Sequence, residues 1–573
     1  MRRMSVEGGA AIPLVQPIIT INKNNSNNSM SGGANNGINI RSNRVHQQKQ
    51  NGGIVIFRII VITIIICSLL WGYLIIQITS TMNSNTSTDE AGGFASPMML
   101  ARPGQAKRPD GSSRIGWIIQ QKIKQIQLQI RKVPLLDVSH MDSPLLIITY
   151  KRADYLERTL WKVFENHPAQ KIQRRNGDAS IRGKNYNIED TGRVVGAPII
   201  ISQDGSNEDV RRIIETYRQL FEMKLGVPLY RIEHTRSNSE PEDPFALDNW
   251  VIPYKLLAEH YGWALERTFS GAAYNDPTKH NRHIPNHPPL PQRVIILEED
   301  IEIADDFFSL MNATADLLDK DDTLLAVSAF NDNGKEQLTA DAKRLVRSDF
   351  FPGLGWMMSR NVWDGTKSHP HSGLKNNWAP GGFWDDWLRE NNQRRGRQII
   401  RPEVSRTFHF GNVDGASAGE NSNILNQIEL EENDIHWEGQ DLSYLKSSAF
   451  ADEYWERVSS AKLVESVVEA KSHVAHSDVR LLYSDFEQFK QMAEQFDIMQ
   501  DEKAGVPRTG YEGIVEIRYG RGRFFIFLTP PYLGQTSDKP SHFGEKTWKK
   551  YSKDDLMSEL GIKSIPEETW NNW

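Results

Sequence analysis

The sequence predicts an α/β catalytic unit with a largely parallel sheet, a smaller α+β unit after it, and one membrane-spanning helix before both. Three observations carry this. From about residue 143, short β-branched runs alternate with amphipathic helical stretches, as strands joined by crossover helices do. Beyond about residue 420 a second unit starts, with helical stretches first and strands later. Residues 59–78, IIVITIIICSLLWGYLIIQI, form an apolar run, and about 20 such residues at 1.5 Å each span the ~30 Å of a bilayer core.

The apolar run is too long for a signal-peptide core, and no A-x-A-like cleavage site follows it. Ahead of it stand Arg2, Arg3, Lys23, Arg41, Arg44, Lys49 and Arg58 against a single acid, Glu7, and no Lys or Arg follows until Arg102. The positive-inside rule then predicts a cytosolic tail at 1–53, a signal anchor at 54–78 and a lumenal remainder. The tail is rich in Asn, Ser, Gly and Gln and reads as disordered. The only cysteine, Cys67, falls inside the apolar run. Intramolecular disulfides, Cys-based zinc sites and thiol catalysis are thereby excluded.

A chain of 573 residues holds two or three folded units plus tails. Its 39% hydrophobic and 24% charged residues are those of a globular protein. The net charge of −6 offers no basic excess for nucleic acid. Fifteen tryptophans would suit the faces of sugars, although composition alone favours core packing.

Residues 79–142 read as a lumenal stem. Within it Ile119, Ile123, Ile126, Ile130 and Val133 recur at spacings of 4, 3, 4 and 3. This is a heptad seam of about two repeats, short for a coiled coil. It predicts either a homodimer through the stem or a stem helix lying on the catalytic unit.

The catalytic unit is placed at 143–411. LLIITY (145–150) is a strand followed by a helix through Leu160, APIIISQD (197–204) a strand, and NEDVRRIIETYRQLF (207–221) an amphipathic helix. Residues 250–268 are helical, and RVIILEEDIEI (293–303) is a buried strand ending in acids. In such sheets ligands bind beyond the carboxyl ends of the strands. Arg152, Asp204 and the Glu298–Asp300 cluster are therefore the positions to watch. Stretches 168–195 and 271–292 read as surface insertions, and His280, His283 and His287 in the second as solvated rather than metal-binding. A linker at 412–425 leads to a C-terminal unit at 426–573, helical over 439–473 and near 484–498, with strands at 512–518 and 523–528.

Two acidic sites carry chemistry. Glu298-Glu299-Asp300 ends an apolar strand, where adjacent carboxylates repel one another unless solvated or bound to a hard cation such as Mn²⁺ or Mg²⁺. The alternative is a solvent-facing acidic turn. FWDDW (383–387) places two aspartates among aromatics. A desolvated carboxylate there would serve as a general base, while one of the pair would instead cap a helix. Between these sites FFPGLGW (350–356) permits a close backbone approach to a ligand, and SAFNDNGKEQ (328–337) is a polar loop.

These stretches, in this order, resemble the UDP-GlcNAc:α-mannoside β-1,2-N-acetylglucosaminyltransferase I family. The resemblance runs from about 143 to 530 through LLIITYKR, PIIISQDG, HYGWAL, LEEDIEIADDFF, VSAFNDNGKEQ, SDFFPGLGWMMS, FWDDW, GRQIIRPEVSRTFHFG, DLSYL and GVPRTGYEGIVEIRYGRGR. It implies a GT-A nucleotide-diphosphosugar transferase fold with a Rossmann-like mixed sheet, an inverting reaction, Mn²⁺, UDP-GlcNAc as donor, a mannose-bearing glycoprotein glycan as acceptor, and a Golgi membrane location. By position it implies Asp300 as metal ligand and Asp385 as catalytic base. Glu298 and Glu299 fall at the donor site, with Arg152, Asp204 and His260 as contacts to uridine and phosphates, Trp384 as a substrate-binding residue, and Ser417 on the loop that closes over the donor. The chain departs from the family in three places. The middle acid, usually Asp, is Glu299. The closing loop NVDGASAG (412–419) carries one more residue than the animal form. Paired cysteines of animal members are replaced at Tyr150 and Gly205, and at Ala326 and Ile399. Rival readings are transfer to protein O-mannose, an inactive glycan-binding relative, and a metal-dependent nucleotidyltransferase, the last disfavoured by lumenal topology.

Overall fold

A computed structural model describes residues 114–128, 142–171, 198–235, 251–275, 288–366, 372–378, 380–411, 425–533, 539–540 and 543, all within one compact unit. The segments predicted as anchor (54–78) and cytosolic tail (1–53), the three histidines of 271–292 and the loop bearing Ser417 lie outside the described residues. Among the described residues no helix is long and apolar enough to cross a membrane.

The principal elements run α1 (Arg114–Leu128), β1 (Leu145–Thr149), α2 (Ala153–Asn166), β2 (Ile199–Asp204), α3 (Glu208–Leu220), β3 (Leu229–His234), α4 (Val251–Phe269), β4 (Arg293–Glu298), β5 (Ile301–Ile303), α5 (Phe307–Lys320), β6 (Leu324–Ser328), β7 (Leu345–Ser348), β8 (Trp356–Ser359), α6 (Trp384–Arg389), β9 (Gln398–Pro402) and β10 (Thr407–His409). Eight strands form one sheet in the order β3-β2-β1-β4-β8-β6-β9-β7. The half from β3 to β4 is parallel, as expected. The sheet is nonetheless mixed, because β8 enters antiparallel between β4 and β6 and β7 closes the edge antiparallel to β9.

Burial on both faces explains why β1 is a continuous apolar run rather than an alternating one. Leu145 and Ile147 pack into one core and Leu146 and Ile148 into the other, so the strand's two-residue period splits it between two layers. Helix α3 begins where the Asn207 side chain accepts from the Val210 amide, and it buries Val210, Ile214 and Tyr217. Ala326 and Ile399 are cross-strand partners, and Tyr150 and Gly205 come directly after the ends of the paired strands β1 and β2. One replaced cysteine pair therefore falls on neighbouring strands, where fully buried Ala326 and Ile399 pack instead, and the other just beyond two neighbouring strand ends.

Three expectations are corrected. The single strand 293–303 is two strands: β4 stops at Glu298, the chain turns through Glu299-Asp300, and β5 pairs antiparallel with β10. Apolar β-branched residues on both sides of the turn hide it from a periodicity reading. The predicted helix 439–473 is likewise two helices, α7 (Ser447–Ser460) and α8 (Val467–His473), around strand β11 (Lys462–Val464). With β12 (Val479–Leu482), α9 (Phe486–Phe496), the hairpin β13 (Glu502–Lys503) and β14 (Val506–Pro507), β15 (Val515–Ile517) and β16 (Ile526–Thr529), they build a second sheet in the order β11-β12-β16-β15. Its first three strands are parallel, and α8 is the crossover that such neighbours require. The C-terminal region is thus α/β in its connections rather than α+β.

The third concerns the stem. Ile119 and Ile123 of α1 are buried against the catalytic unit, where Gln120 donates to Glu157 and Lys122 sits 5.2 Å over the Trp161 ring. The helix lies on α2, and the seam face at these two residues is covered within the chain. A homodimer through that face is not supported.

The two sheets are joined by paired charges. Arg344 donates to both oxygens of Glu516 at 2.6 and 2.8 Å, and Arg518 to both oxygens of Glu403 at the same two distances. Such two-pronged pairs fix orientation as well as distance. They tie β15 of the small sheet to the chain flanking β7 and β9 of the large one.

Candidate active site

The turn between β4 and β5 makes a buried acidic corner. Its backbone is tied down by Thr159, whose hydroxyl donates to the Glu299 carbonyl at 2.7 Å, and by the Phe410 amide, which donates to the Asp300 carbonyl at 3.0 Å. The solvent-facing acidic turn is excluded, since Glu299 and Asp300 are each only 4% exposed. Three donors occupy the Glu299 carboxylate: the Thr149 hydroxyl, the Tyr150 amide at 2.8 Å and Arg152 Nε at 2.6 Å. Asp300 Oδ2 accepts from Arg152 Nη2 at 2.7 Å and lies 3.4 Å from His409 Nε2.

What remains open is informative. Asp300 Oδ1 and Arg152 Nη1 are buried without a hydrogen-bond partner among the described residues. A lone buried carboxylate oxygen is costly unless something binds it. Burial favours the neutral acid at Asp300, but His409 and Arg152 outweigh it and hold the carboxyl well below the usual range. Burial, then repulsion from Asp300, pushes Glu298 up to about 7, against the hydrogen bond from the Tyr261 hydroxyl at 2.8 Å. The corner therefore keeps one buried carboxylate oxygen without a fixed donor among the described residues.

Beside it, at the ends of β2 and β3, Asp204 Oδ1 pairs with His234 Nδ1 at 2.9 Å. His234 stacks on the buried His260, which bonds the Ser202 hydroxyl at 2.7 Å. Across the cavity stands α6. Its aromatics turn away from the aspartates: Trp384 stacks on Tyr261 at 4.2 Å, Phe383 meets Tyr254 tilted at 4.5 Å, and Trp387 meets Trp378 edge-on. Asp385 and Asp386 are consequently 38% and 36% exposed rather than desolvated. Neither caps the helix, whose N-cap is Phe383. Arg389 Nη1 donates to both, at 2.8 Å to Asp385 and 2.6 Å to Asp386, and Lys503 reaches Asp386 at 3.2 Å. For Asp386, burial opposes ionisation, but Arg389 and Lys503 prevail and lower its pKa.

Arg152, Asp204, His260, Glu298, Glu299, Asp300, Trp384 and Asp385 all line one cavity of about 370 Å³. His409, Arg389 and Lys503 line it too, and sequence reasoning missed their roles. His409 stands between Phe408 and Phe410 at the end of β10, with Gly411 just beyond, a pattern that marks a polar residue aimed inward. A Cβ at Gly411 would collide with the Asp300 carboxylate, so glycine is what lets this segment pass the corner. No group of three or more His, Cys, Asp or Glu suited to a metal exists among the described residues.

A sheet with ionised and accessible carboxylates facing each other beyond its strand ends is the framework of a glycosyltransferase, and known proteins narrow the class. Residues 194–539 match the model of the GNT-I family. The alpha-1,3-mannosyl-glycoprotein 2-beta-N-acetylglucosaminyltransferase of Arabidopsis thaliana is 35% identical over 394 residues, covering 68% of this chain and 73% of that protein. The mannosyltransferase PcManGT from Pyrobaculum calidifontis, in complex with GDP-Man and Mn2+, aligns over 51% of this chain and 65% of its own at 13% identity. Its TM-score of 0.22 is too low to carry an argument. The chain belongs to the GNT-I family.

Proposed function

We propose that this chain transfers N-acetylglucosamine from UDP-GlcNAc to an α1,3-linked mannose of an N-linked high-mannose glycan, with inversion to a β1,2 linkage, and so starts hybrid and complex glycans. The observation that carries this reading is the pairing, in one cavity, of an ionised Asp300 with an unpartnered oxygen and an accessible Asp385. The identity to the Arabidopsis enzyme named above supplies the choice of sugar and linkage.

Arg152 is anchored by Glu299 and Asp300 while its Nη1 is unused, which suits a phosphate oxygen of the donor. A divalent cation, Mn²⁺ in this proposal, would be held by Asp300 and would neutralise charge developing on the departing UDP. Asp385 accepts the proton of the mannose hydroxyl as that oxygen attacks the anomeric carbon. Arg389 sets the direction of its carboxylate from behind. One displacement with a base on the acceptor side inverts the centre. Asp204 and His260 sit where uridine contacts are expected, and Ser417 is assigned to the closing loop by resemblance alone. The apolar run at 59–78 and its flanking charges support a type II Golgi membrane protein with a lumenal catalytic unit.

The test is incubation of the full-length chain in detergent with UDP-GlcNAc, Mn²⁺ and either a trimmed high-mannose glycan or an O-mannosyl peptide. A β1,2-linked GlcNAc on the glycan is expected. Product on the peptide alone would shift the acceptor to protein O-mannose, and no product on either would leave a glycan-binding relative.

A further inference from the structure

The polar loop after β6 plays no part in the donor site, yet Asp332 in it lines the same cavity at only 2% exposure. Its Oδ1 accepts from Arg508 at 2.5 Å, and its Oδ2 is buried without a partner among the described residues. Arg508 also donates to both oxygens of Asp501, at 2.8 and 3.0 Å, and stacks 5.0 Å from the Phe350 ring. Asp501, Lys503 and Arg508 come from the hairpin segment of the C-terminal region, more than 100 residues from Asp385 in sequence. Lys503 reaches back to Asp386 and so to Arg389 and the base.

Charge distinguishes this wall from the donor side. The corner concentrates carboxylates at Glu298, Glu299 and Asp300 around Arg152, which suits a cation and a diphosphate together. On the hairpin wall each of Asp332, Asp385, Asp386 and Asp501 is paired with one or more of Arg389, Lys503 and Arg508. A wall on which every cation is already paired with a carboxylate has no use for an anion. It offers donors and acceptors side by side, which is what a neutral polyhydroxylated ligand needs, since neighbouring sugar hydroxyls both give and accept hydrogen bonds. The spare oxygen of Asp332 is a ready acceptor for one such hydroxyl.

We propose that the wall formed by Asp332, Asp501, Lys503 and Arg508 is an acceptor subsite that binds hydroxyls of glycan residues beyond the mannose under attack. This rests on the transferase reading above and adds to it the part of the chain that selects a branched glycan. The C-terminal region is then half of the substrate site, and the Lys503–Asp386–Arg389 chain couples seating of the glycan to the orientation of Asp385.

The experiment uses full-length chain in detergent with saturating UDP-GlcNAc and a branched mannose pentasaccharide as acceptor. Asp501→Asn raises KM for the pentasaccharide about tenfold or more, as loss of a charged hydrogen-bond partner does, and lowers kcat far less. Lys503→Gln, a partly exposed position safe for folding, shifts KM in the same direction, and Asp501→Glu restores part of the loss. An unmoved KM in both variants, or a loss confined to kcat, overturns the subsite while leaving the transferase reading intact. Absence of transfer by the unsubstituted chain overturns both.

Discussion

The acidic corner and the α6 wall face each other across one cavity, and each presents adjacent carboxylates, yet they are built in opposite ways. At the corner Glu299 and Asp300 are buried and their oxygens have fixed donors, save Asp300 Oδ1, which has none among the described residues. At the wall both aspartates stand more than a third exposed and share a single guanidinium. A buried, charge-locked carboxylate holds a counter-ion well but releases and takes protons badly. An accessible one does the reverse. Under the proposed reaction, this difference in burial suits the corner to the leaving diphosphate and the wall to the incoming hydroxyl.

The strongest way to break this division is at the corner. Asp300→Ala removes the open oxygen and should cut transfer by about 10³-fold or more. UDP-GlcNAc binding, read by calorimetry in the presence of Mn²⁺, should be lost with it. Melting temperature should change little, because relief of repulsion on Glu298 offsets the lost pairs with Arg152 and His409. Retained donor binding would take the cation away from Asp300. Next in size is Gly411→Ala, whose added methyl collides with the same carboxylate. Displacing a reacting group by about an ångström costs on the order of 10²-fold, and steady-state kinetics on a folded variant would show it.

A buried acid far from the cavity sharpens the point. Glu157 is pushed up to about 7 by burial, against only the hydrogen bond from Gln120 of the stem helix. Asp300, also buried but beside Arg152 and His409, moves the other way. Because the folded pKa of Glu157 is raised, the folded state binds the extra proton between pH 4.5 and 7. Its stabilising contribution is complete below the lower of these values and is lost as pH rises through the upper one. Melting temperature should therefore fall over that window, and Glu157→Gln should flatten the slope. Identical slopes in both chains would remove Glu157 as the cause. The smallest effect is expected at Asp386→Asn, where exposed pairing with Lys503 and Arg389 is worth at most about 1 kcal/mol. Chemical denaturation would measure it.

The same contrast explains what was legible in the sequence. Both acidic motifs stood out because their residues are adjacent and chemically unusual for their surroundings. The parallel half of the large sheet was legible because burial on both faces writes itself as apolar runs such as LLIIT. The break between Glu298 and Ile301 was not, since the apolar pattern resumes straight after it. His409, Lys503 and Arg508 were invisible as site residues because their partners Asp300, Asp386 and Asp332 lie 109, 117 and 176 residues away. The aromatics of FWDDW misled for a related reason. Apolar neighbours in sequence do not desolvate an aspartate when the helix turns them toward Tyr261, Tyr254 and Trp378 instead.

The division of labour is tested most directly by Asp385→Asn in the full-length chain, with donor binding and transfer measured on one preparation. The substitution keeps shape and hydrogen bonding but cannot take the mannose proton. Turnover should fall by ~10²–10⁴-fold while UDP-GlcNAc binding stays at the unsubstituted level, since the lost interaction belongs to the transition state. Near-normal turnover in this variant, or loss of donor binding together with turnover, would contradict the assignment of the wall to proton removal.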